Sequence, residues 1–118
     1  MNYLSTRGHV EPMGFQAAVM MGLADDGGLI IPESVPHVAD RHDDWAQLSY
    51  ADLAYEIIRL FATDIPAGDL RELIDRTYSP TAFDPAPAEL VKAGDLWVLE
   101  LWHGPTLSFK DIALQLLG

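Results

Sequence analysis

Hydrophobic residues recur every three or four positions in three parts of the chain, which is the spacing that places them on one face of a helix. This pattern predicts helices over residues 13–23, 49–62 and 66–78. Ser49 and Asp52 have the spacing of a helix start, and a proline at the beginning of the third segment favours a helix from that point. We expect the second and third helices to form an antiparallel pair.

Three shorter runs are typical of β-strands. Residues 3–7 and 29–31 are rich in residues that favour strands, and turn residues flank the second run. Residues 96–101 are apolar except for Glu100, and such a run predicts a strand buried on both faces, as in a parallel sheet. Residues 33–44 contain a proline and several acids, and we expect a surface loop there.

The last predicted strand leads into a segment with candidate chemistry. Gly104 and Pro105 end the strand, and Ser108 can cap a fourth helix, with Asp111 three residues later in a variant of the capping box. This register puts Lys110 in the first helical turn. A strand, a tight loop and a helix start in succession form the place where α/β proteins bind ligands, at the carboxyl ends of their strands.

Lys110 is one of only two lysines in the chain. Burial against Trp102, Leu107 and Phe109 would disfavour its protonated form and leave a free amine. A free amine is the nucleophile that Schiff-base chemistry requires. From these residues alone, a surface lysine beside an ordinary helix start is at least as good an interpretation.

Four side chains close to Lys110 in sequence are candidate pocket residues. Thr106 and Ser108 could donate hydrogen bonds in the site, although Ser108 better fits the role of helix cap, and Asp111 follows the lysine directly. His103 could line the same pocket, but a strand-end histidine bonded to the backbone is the favoured interpretation. The four histidines of the chain lie far apart and lack the spacing of metal ligands, so we expect no metal.

Composition and charge exclude several classes of function. Seven basic residues against eighteen acidic ones give a net charge of −11, so we expect no binding to nucleic acid or to an anionic membrane. The absence of cysteine excludes disulfides and thiolate chemistry. Residues 1–13 lack the pattern of a secretory signal, and the expected location is the cytoplasm. Arg7, with Ser5 and Thr6, could reach a substrate phosphate, although an ordinary strand is the favoured interpretation.

Motifs in three parts of the chain resemble one enzyme family in colinear order. Residues 100–111, ELWHGPTLSFKD, resemble the lysine segment of threonine synthases, which use pyridoxal phosphate. Residues 3–8, YLSTRG, and 22–32, GLADDGGLIIP, are similar to the N-terminal domain of that family. Residues 44–45 and 48–61 are similar to its eukaryotic-type members. Two mild departures are Trp102 in place of phenylalanine and Ser108 in place of alanine, and they leave the lysine assignment intact.

The resemblance implies an α/β fold class with three regions. Residues 1–80 would be a small α+β N-terminal domain with short strands and three or four helices, and residues 81–95 a linker. Residues 96–118 would be the first strand, loop and helix of a fold type II pyridoxal-phosphate domain. Apolar residues near the end of the chain have nothing after them to pack on, so we expect a truncated protein whose partner is the remainder of the catalytic domain.

The resemblance also implies a reaction, the conversion of O-phospho-L-homoserine and water to L-threonine and phosphate. Lys110 would hold pyridoxal phosphate and carry the protons that leave the substrate, with His103, Thr106, Ser108 and Asp111 as weaker pocket candidates. The isolated chain is expected to be inactive, and a homo-oligomer is possible. Two alternatives stay open: a related lyase that acts on another phosphorylated amino acid or amino alcohol, and a non-catalytic binding or assembly domain.

Overall fold

The computed structural model describes residues 1–118 and has a mixed α/β architecture. Two small antiparallel sheets and five helices follow one another along the chain. None of these helices combines the length and hydrophobicity that a membrane span requires. In chain order the elements are β1 (Tyr3–Ser5), α1 (Phe15–Met21), β2 (Ile30–Pro32), α2 (His42–Trp45), α3 (Tyr50–Ile58), α4 (Ala67–Thr77), β3 (Glu89–Ala93), β4 (Leu96–Glu100) and α5 (Asp111–Leu117).

The three periodic helices are confirmed as α1, α3 and α4, each somewhat shorter than predicted. Helix α1 ends where Gly22 adopts a φ of 70°, a left-handed conformation that favours glycine. Ser49 caps α3, because its side chain accepts a hydrogen bond from the backbone N–H of Asp52. The predicted loop at 33–44 is wrong at its end, where a 3₁₀ turn (Ala39–Arg41) leads into α2. A helix of four residues is too short to show a periodic pattern.

The first sheet joins the two strands predicted near the N-terminus. β1 and β2 pair antiparallel, with Tyr3 opposite Pro32 and Ser5 opposite Ile30. Tyr3 and Ser5 are buried, whereas Leu4 between them is exposed, as the alternation of a strand requires. This sheet therefore contributes one face to the interior, where Tyr3 lies 5.8 Å from Phe15 of α1 between ring centroids.

The main core lies between α3 and α4. Ile74 and Leu70 of α4 are buried against Ala62, which follows α3. On the outside, the Arg71 guanidinium binds Asp52 of α3 and Asp75 of its own helix, each at 2.6 Å. Partly buried apolar and aromatic side chains surround this core: Phe15, Ala51, Ala54, Tyr55, Ile58, Ile65, Tyr78 and Leu116.

The strand predicted at 96–101 is confirmed as β4, but its predicted environment is wrong. β4 pairs antiparallel with β3, a strand that the sequence did not predict and that lies within the predicted linker. Ala93 is opposite Leu96, so only two residues form the turn, and Gly94 has the positive φ of 62° that such turns favour. The apolar side chains of β4 are exposed, with Trp97 at 62%. A two-stranded hairpin has no further layers to cover its faces, which explains the exposure.

The end of α4 and the segment after it contact both α3 and α5. Phe83 is only 2% exposed, and its ring packs on Tyr78 at 5.9 Å between centroids. Tyr78 also contacts the Tyr50 ring at 5.1 Å, and its hydroxyl donates a hydrogen bond of 2.8 Å to the carbonyl of Ile112 in α5. Burial, followed by the proximity of Tyr50, raises the pKa of Tyr78 to about 12. Tyr78 therefore connects the α3–α4 core to α5, the helix that follows Lys110.

Candidate functional site

Lys110 lies at the junction that the sequence predicted, one residue before helix α5 rather than inside its first turn. It occupies the N-cap position with helical backbone angles, and its side chain is exposed. Leu107 and Phe109 are 74% and 65% exposed, and Trp102 is exposed as well. The predicted burial of Lys110 against these three residues is therefore wrong. At the start of α5 the buried side chain is that of Asp111, and the three apolar side chains lie on the surface.

The predicted capping arrangement at Ser108 and Asp111 is also wrong. The Ser108 hydroxyl accepts a hydrogen bond from the backbone N–H of Lys110 at 3.3 Å, two residues on rather than three. The carbonyl of Ser108 accepts from the N–H of Asp111 at 3.0 Å. The Ser108 side chain thus supports the turn before α5 as a hydrogen-bond acceptor and does not cap the helix.

Asp111 is the most buried charged residue of the segment, with only 3% of its surface exposed. Its Oδ2 accepts from the backbone N–H of Thr106 at 2.8 Å, and its Oδ1 accepts from the Thr106 hydroxyl at 2.7 Å. Gln115 donates a longer bond of 3.4 Å to Oδ1. Both oxygens are therefore engaged inside the loop. The structure brings Thr106 and Asp111 together, but against each other rather than around a common pocket.

These bonds control the charge of Asp111. Burial alone would raise the pKa of the Asp111 carboxyl, but the hydrogen bonds from the Thr106 hydroxyl and backbone N–H, with weaker help from Gln115 and Ser108, hold the pKa below its ordinary value. In the unfolded chain an aspartate titrates near ~3.9. The folded form therefore binds a proton at Asp111 less readily than the unfolded form does.

We expect a pH dependence of stability from this group. A depressed carboxyl pKa contributes stability that is present above the unfolded pKa and is lost as the pH falls through the folded pKa. Urea unfolding of the chain and of Asp111→Asn between pH 7 and pH 3 should show a difference in unfolding free energy that is constant at the upper end. This difference should shrink below about pH 4. Because Asp26 and Asp52 have lowered pKa values too, the comparison with Asn isolates Asp111. A difference that does not change with pH would contradict the assignment.

His103 lies at the end of the hairpin and forms a pair that sequence analysis missed. Its Nε2 is 2.7 Å from Oε2 of Glu100, and both side chains are largely buried. Its carbonyl accepts a hydrogen bond from the N–H of Asp84 at 3.3 Å. The imidazole ring thus pairs with the Glu100 carboxylate and not with the backbone, so the favoured interpretation of a ring bonded to the backbone is wrong. The sequence signal for this pair was the spacing of three residues between a carboxylate and a histidine at the end of the strand.

An open apolar groove lies beside Lys110. It has a volume of about 510 Å³ and is lined by the residue after β4, by the two residues before α5 and by α5 itself. Lys110 is one of its lining residues, and the other five give an apolar surface that a flat ring could contact. Its lining residues are Leu101, Phe109, Lys110, Ile112, Ala113 and Leu114.

The second candidate group consists of Ser5, Thr6 and Arg7, and their side chains form hydrogen bonds to the neighbouring turn. The Ser5 hydroxyl donates to the Asp26 carboxylate at 2.7 Å, and this bond, ahead of two backbone N–H bonds, lowers the pKa of Asp26. Arg7 donates to the carbonyl of Asp26 at 2.9 Å, and Thr6 accepts from the N–H of Leu29. The favoured interpretation of an ordinary strand and turn is therefore the one that the contacts support. No three His, Asp or Glu residues are grouped to hold a metal ion.

Comparison with known proteins gives one consistent family. A family model described as the N terminus of threonine synthase matches residues 2–78. The threonine synthase of Pseudomonas aeruginosa is 42% identical over 120 residues, which cover 100% of this chain and 26% of that protein. A protein of Xenopus laevis called threonine synthase-like 2 is 41% identical over 122 residues, covering 100% of this chain and 26% of that protein.

A solved structure agrees with these sequence matches. The X-ray crystal structure of PLP-bound threonine synthase from Brucella melitensis superposes with a TM-score of 0.91 and 39% identity, covering 99% of this chain and 26% of that one. The chain thus spans about a quarter of the length of the relatives that it matches. The mixed α/β fold class predicted from the sequence is confirmed, and so is the family that its motifs resemble.

Proposed function

The chain belongs to the threonine synthase family, and we propose that it forms the N-terminal part of an enzyme that converts O-phospho-L-homoserine and water to L-threonine and phosphate. The observation that carries this proposal is the position of Lys110. The lysine stands between a strand and a helix in a region where the chain superposes on a PLP-bound threonine synthase. Because the chain spans about a quarter of its relatives, the whole activity requires segments that these residues do not supply.

The residues present fit one end of pyridoxal phosphate. The exposed amine of Lys110 can attach to an aldehyde, and the apolar groove beside it can contact a ring. The chain contains no Gly-rich loop of the kind that cradles a phosphate, so the phosphate end needs a later segment. When bound, the cofactor supplies an electron sink for the carbanion that forms next to the substrate amine.

Lys110 would then have two roles in this chain, as covalent anchor and as proton carrier. A free amine at Nζ can take a proton from the substrate Cα and hold it close to the reacting carbons. The backbone that carries this amine is held in place, because the N–H and the carbonyl of Lys110 are both hydrogen-bonded, to Ser108 and to the first turn of α5.

The domain organisation is part of the same proposal. We assign residues 1–80 to the N-terminal domain, 81–95 to a linker that includes β3, and 96–118 to the beginning of the catalytic domain. The family-model match to residues 2–78 supports the first boundary. The exposed apolar side chains of β4 support a partner for the hairpin, which we take to be the remainder of the catalytic domain. We place the enzyme in the cytoplasm, and assembly into a homo-oligomer is compatible with it.

A product assay tests the proposed reaction. The protein that carries this chain together with the rest of the catalytic domain should release phosphate and L-threonine in equal amounts from O-phospho-L-homoserine when pyridoxal phosphate is present. The isolated chain should release neither above background, because it lacks the phosphate-binding segment. Turnover by the isolated chain, or a longer protein that is loaded with cofactor but makes no L-threonine, would contradict the proposal.

The similarity to threonine synthase-like 2 of Xenopus laevis favours a second candidate function. This candidate is a related lyase that eliminates phosphate from another phosphorylated amino acid or amino alcohol. A panel of such substrates separates the two functions by product. Phosphate release without L-threonine, from any substrate of the panel, would support the second candidate.

A further inference from the structure

We propose that Asp111 is a positioning residue for Lys110, because its buried carboxylate closes the loop that carries the amine. This inference rests on the proposed function, since it concerns the lysine that we assign to the cofactor. Asp111 is buried and is not one of the residues that line the groove beside Lys110. Its effect would pass entirely through the backbone between Thr106 and α5.

The carboxylate turns the loop into a closed ring. Two bonds, at 2.8 and 2.7 Å, run from the Thr106 N–H and hydroxyl to separate oxygens of Asp111, five residues later. Lys110 is one of the residues between Thr106 and Asp111 that these bonds enclose in sequence. Its own N–H donates to the Ser108 hydroxyl, and its carbonyl accepts from the N–H of Leu114 at 2.8 Å. The backbone of Lys110 is thus fixed on both sides while its side chain stays exposed.

Two further features depend on the same carboxylate. A Cβ at Gly104 would lie 2.5 Å from the Cβ of Asp111 and 2.6 Å from its Oδ2, so only glycine lets the aspartate approach this closely. Leu107 has a φ of 60°, in a region that a leucine rarely adopts. A loop keeps such a conformation only while its surroundings hold it there. The Asp111 bonds span Leu107 and supply that restraint.

Loss of the restraint should move the amine more than it affects the fold. A misplacement of about 1 Å in a reacting group can reduce a rate roughly 100-fold. Thr106 is exposed, so changes at this residue should leave the folded structure intact. Thr106→Val removes the hydroxyl donor at nearly constant shape, whereas Thr106→Ser retains it.

We test the inference in the protein that carries this chain with the rest of the catalytic domain. Thr106→Val should lower kcat roughly 10- to 100-fold with KM within about twofold, and Thr106→Ser should restore kcat to within about threefold. Asp111→Leu should lower kcat further than Thr106→Val does. The kcat of Asp111→Asn should lie between those of the unaltered protein and Asp111→Leu, because an amide can still accept one of the two Thr106 bonds. Asp69→Asn is the matched control, an exposed aspartate in the first turn of α4, and should leave kcat unchanged.

A second readout does not depend on activity. Amide hydrogen exchange of the chain should show the Thr106 N–H protected, and Asp111→Leu should remove that protection while the N–H groups of α4 stay protected. Borohydride trapping with pyridoxal phosphate should then label Lys110 more slowly in Thr106→Val than in Thr106→Ser.

The outcomes separate this inference from the proposed function. Equal kcat and equal labelling in Thr106→Val and Thr106→Ser would overturn the positioning role and leave the proposed function standing. Absence of labelling at Lys110 in the unaltered protein would overturn both, even if hydrogen exchange showed the loop to be closed.

Discussion

Lys110→Ala should lower the rate of L-threonine formation by at least about 10³-fold, because we propose that this residue both anchors the cofactor and carries a proton. The second lysine, Lys92, lies in β3 on the hairpin, where its Nζ is 6.0 Å from the Trp97 ring centroid. The expected loss is measured as kcat in the protein with the rest of its catalytic domain, at saturating pyridoxal phosphate.

Two variants make this prediction specific. Lys92→Ala removes the same type of side chain from an exposed strand and should change kcat by less than about twofold. Lys110→Arg keeps the positive charge but not the nucleophilic amine, because a guanidinium stays protonated. It should be as inactive as Lys110→Ala. An active Lys110→Arg protein would show that only the charge is needed and would contradict the assignment.

Phe83→Ala should have the largest effect on stability, about 3–5 kcal/mol, which is typical of a buried phenylalanine truncated to alanine. Phe83 is almost completely buried, and its ring packs on Tyr78, which in turn holds α5 through the Ile112 carbonyl. The cavity would therefore form where the α3–α4 core meets the segment with Lys110. Urea unfolding of the chain measures the loss as a shift in midpoint at unchanged slope.

Phe109→Ala provides a matched control for this measurement. Phe109 is the same residue type but lies exposed in the loop before α5. Its truncation should change the unfolding free energy by less than about 0.5 kcal/mol, as is usual for exposed positions. Equal losses for the two variants would contradict the packing described for Phe83.

Long periodic helices were predictable from the sequence, and short elements were not. Helices α3 and α4 repeat their apolar positions over two or more turns, so the pattern identified them. β3 has only Leu90 and Val91 as large apolar residues beside Glu89 and Lys92, and its partner strand was needed to define it. The apolar run of β4 predicted burial. A local run of apolar residues does not specify which other element covers them.

The candidate site divides in the same way. Lys110 could be found from the strand, loop and helix sequence and from the family motif around it. The bonds between Asp111 and Thr106 could not, because the capping rule predicts a contact with Ser108 three residues away, while the structure uses one five residues away. That choice depends on the close approach at Gly104 and on the left-handed Leu107, neither of which a local pattern specifies.

The central claim, that the Lys110 amine holds pyridoxal phosphate, is tested most directly by chemical trapping. The protein with its complete catalytic domain is incubated with the cofactor, reduced with borohydride and digested, and the peptides are mapped by mass. We predict that the pyridoxyl group is on the peptide containing Lys110 and is absent from the peptide containing Lys92. A label on Lys92 alone, or no label on this chain, would contradict the account.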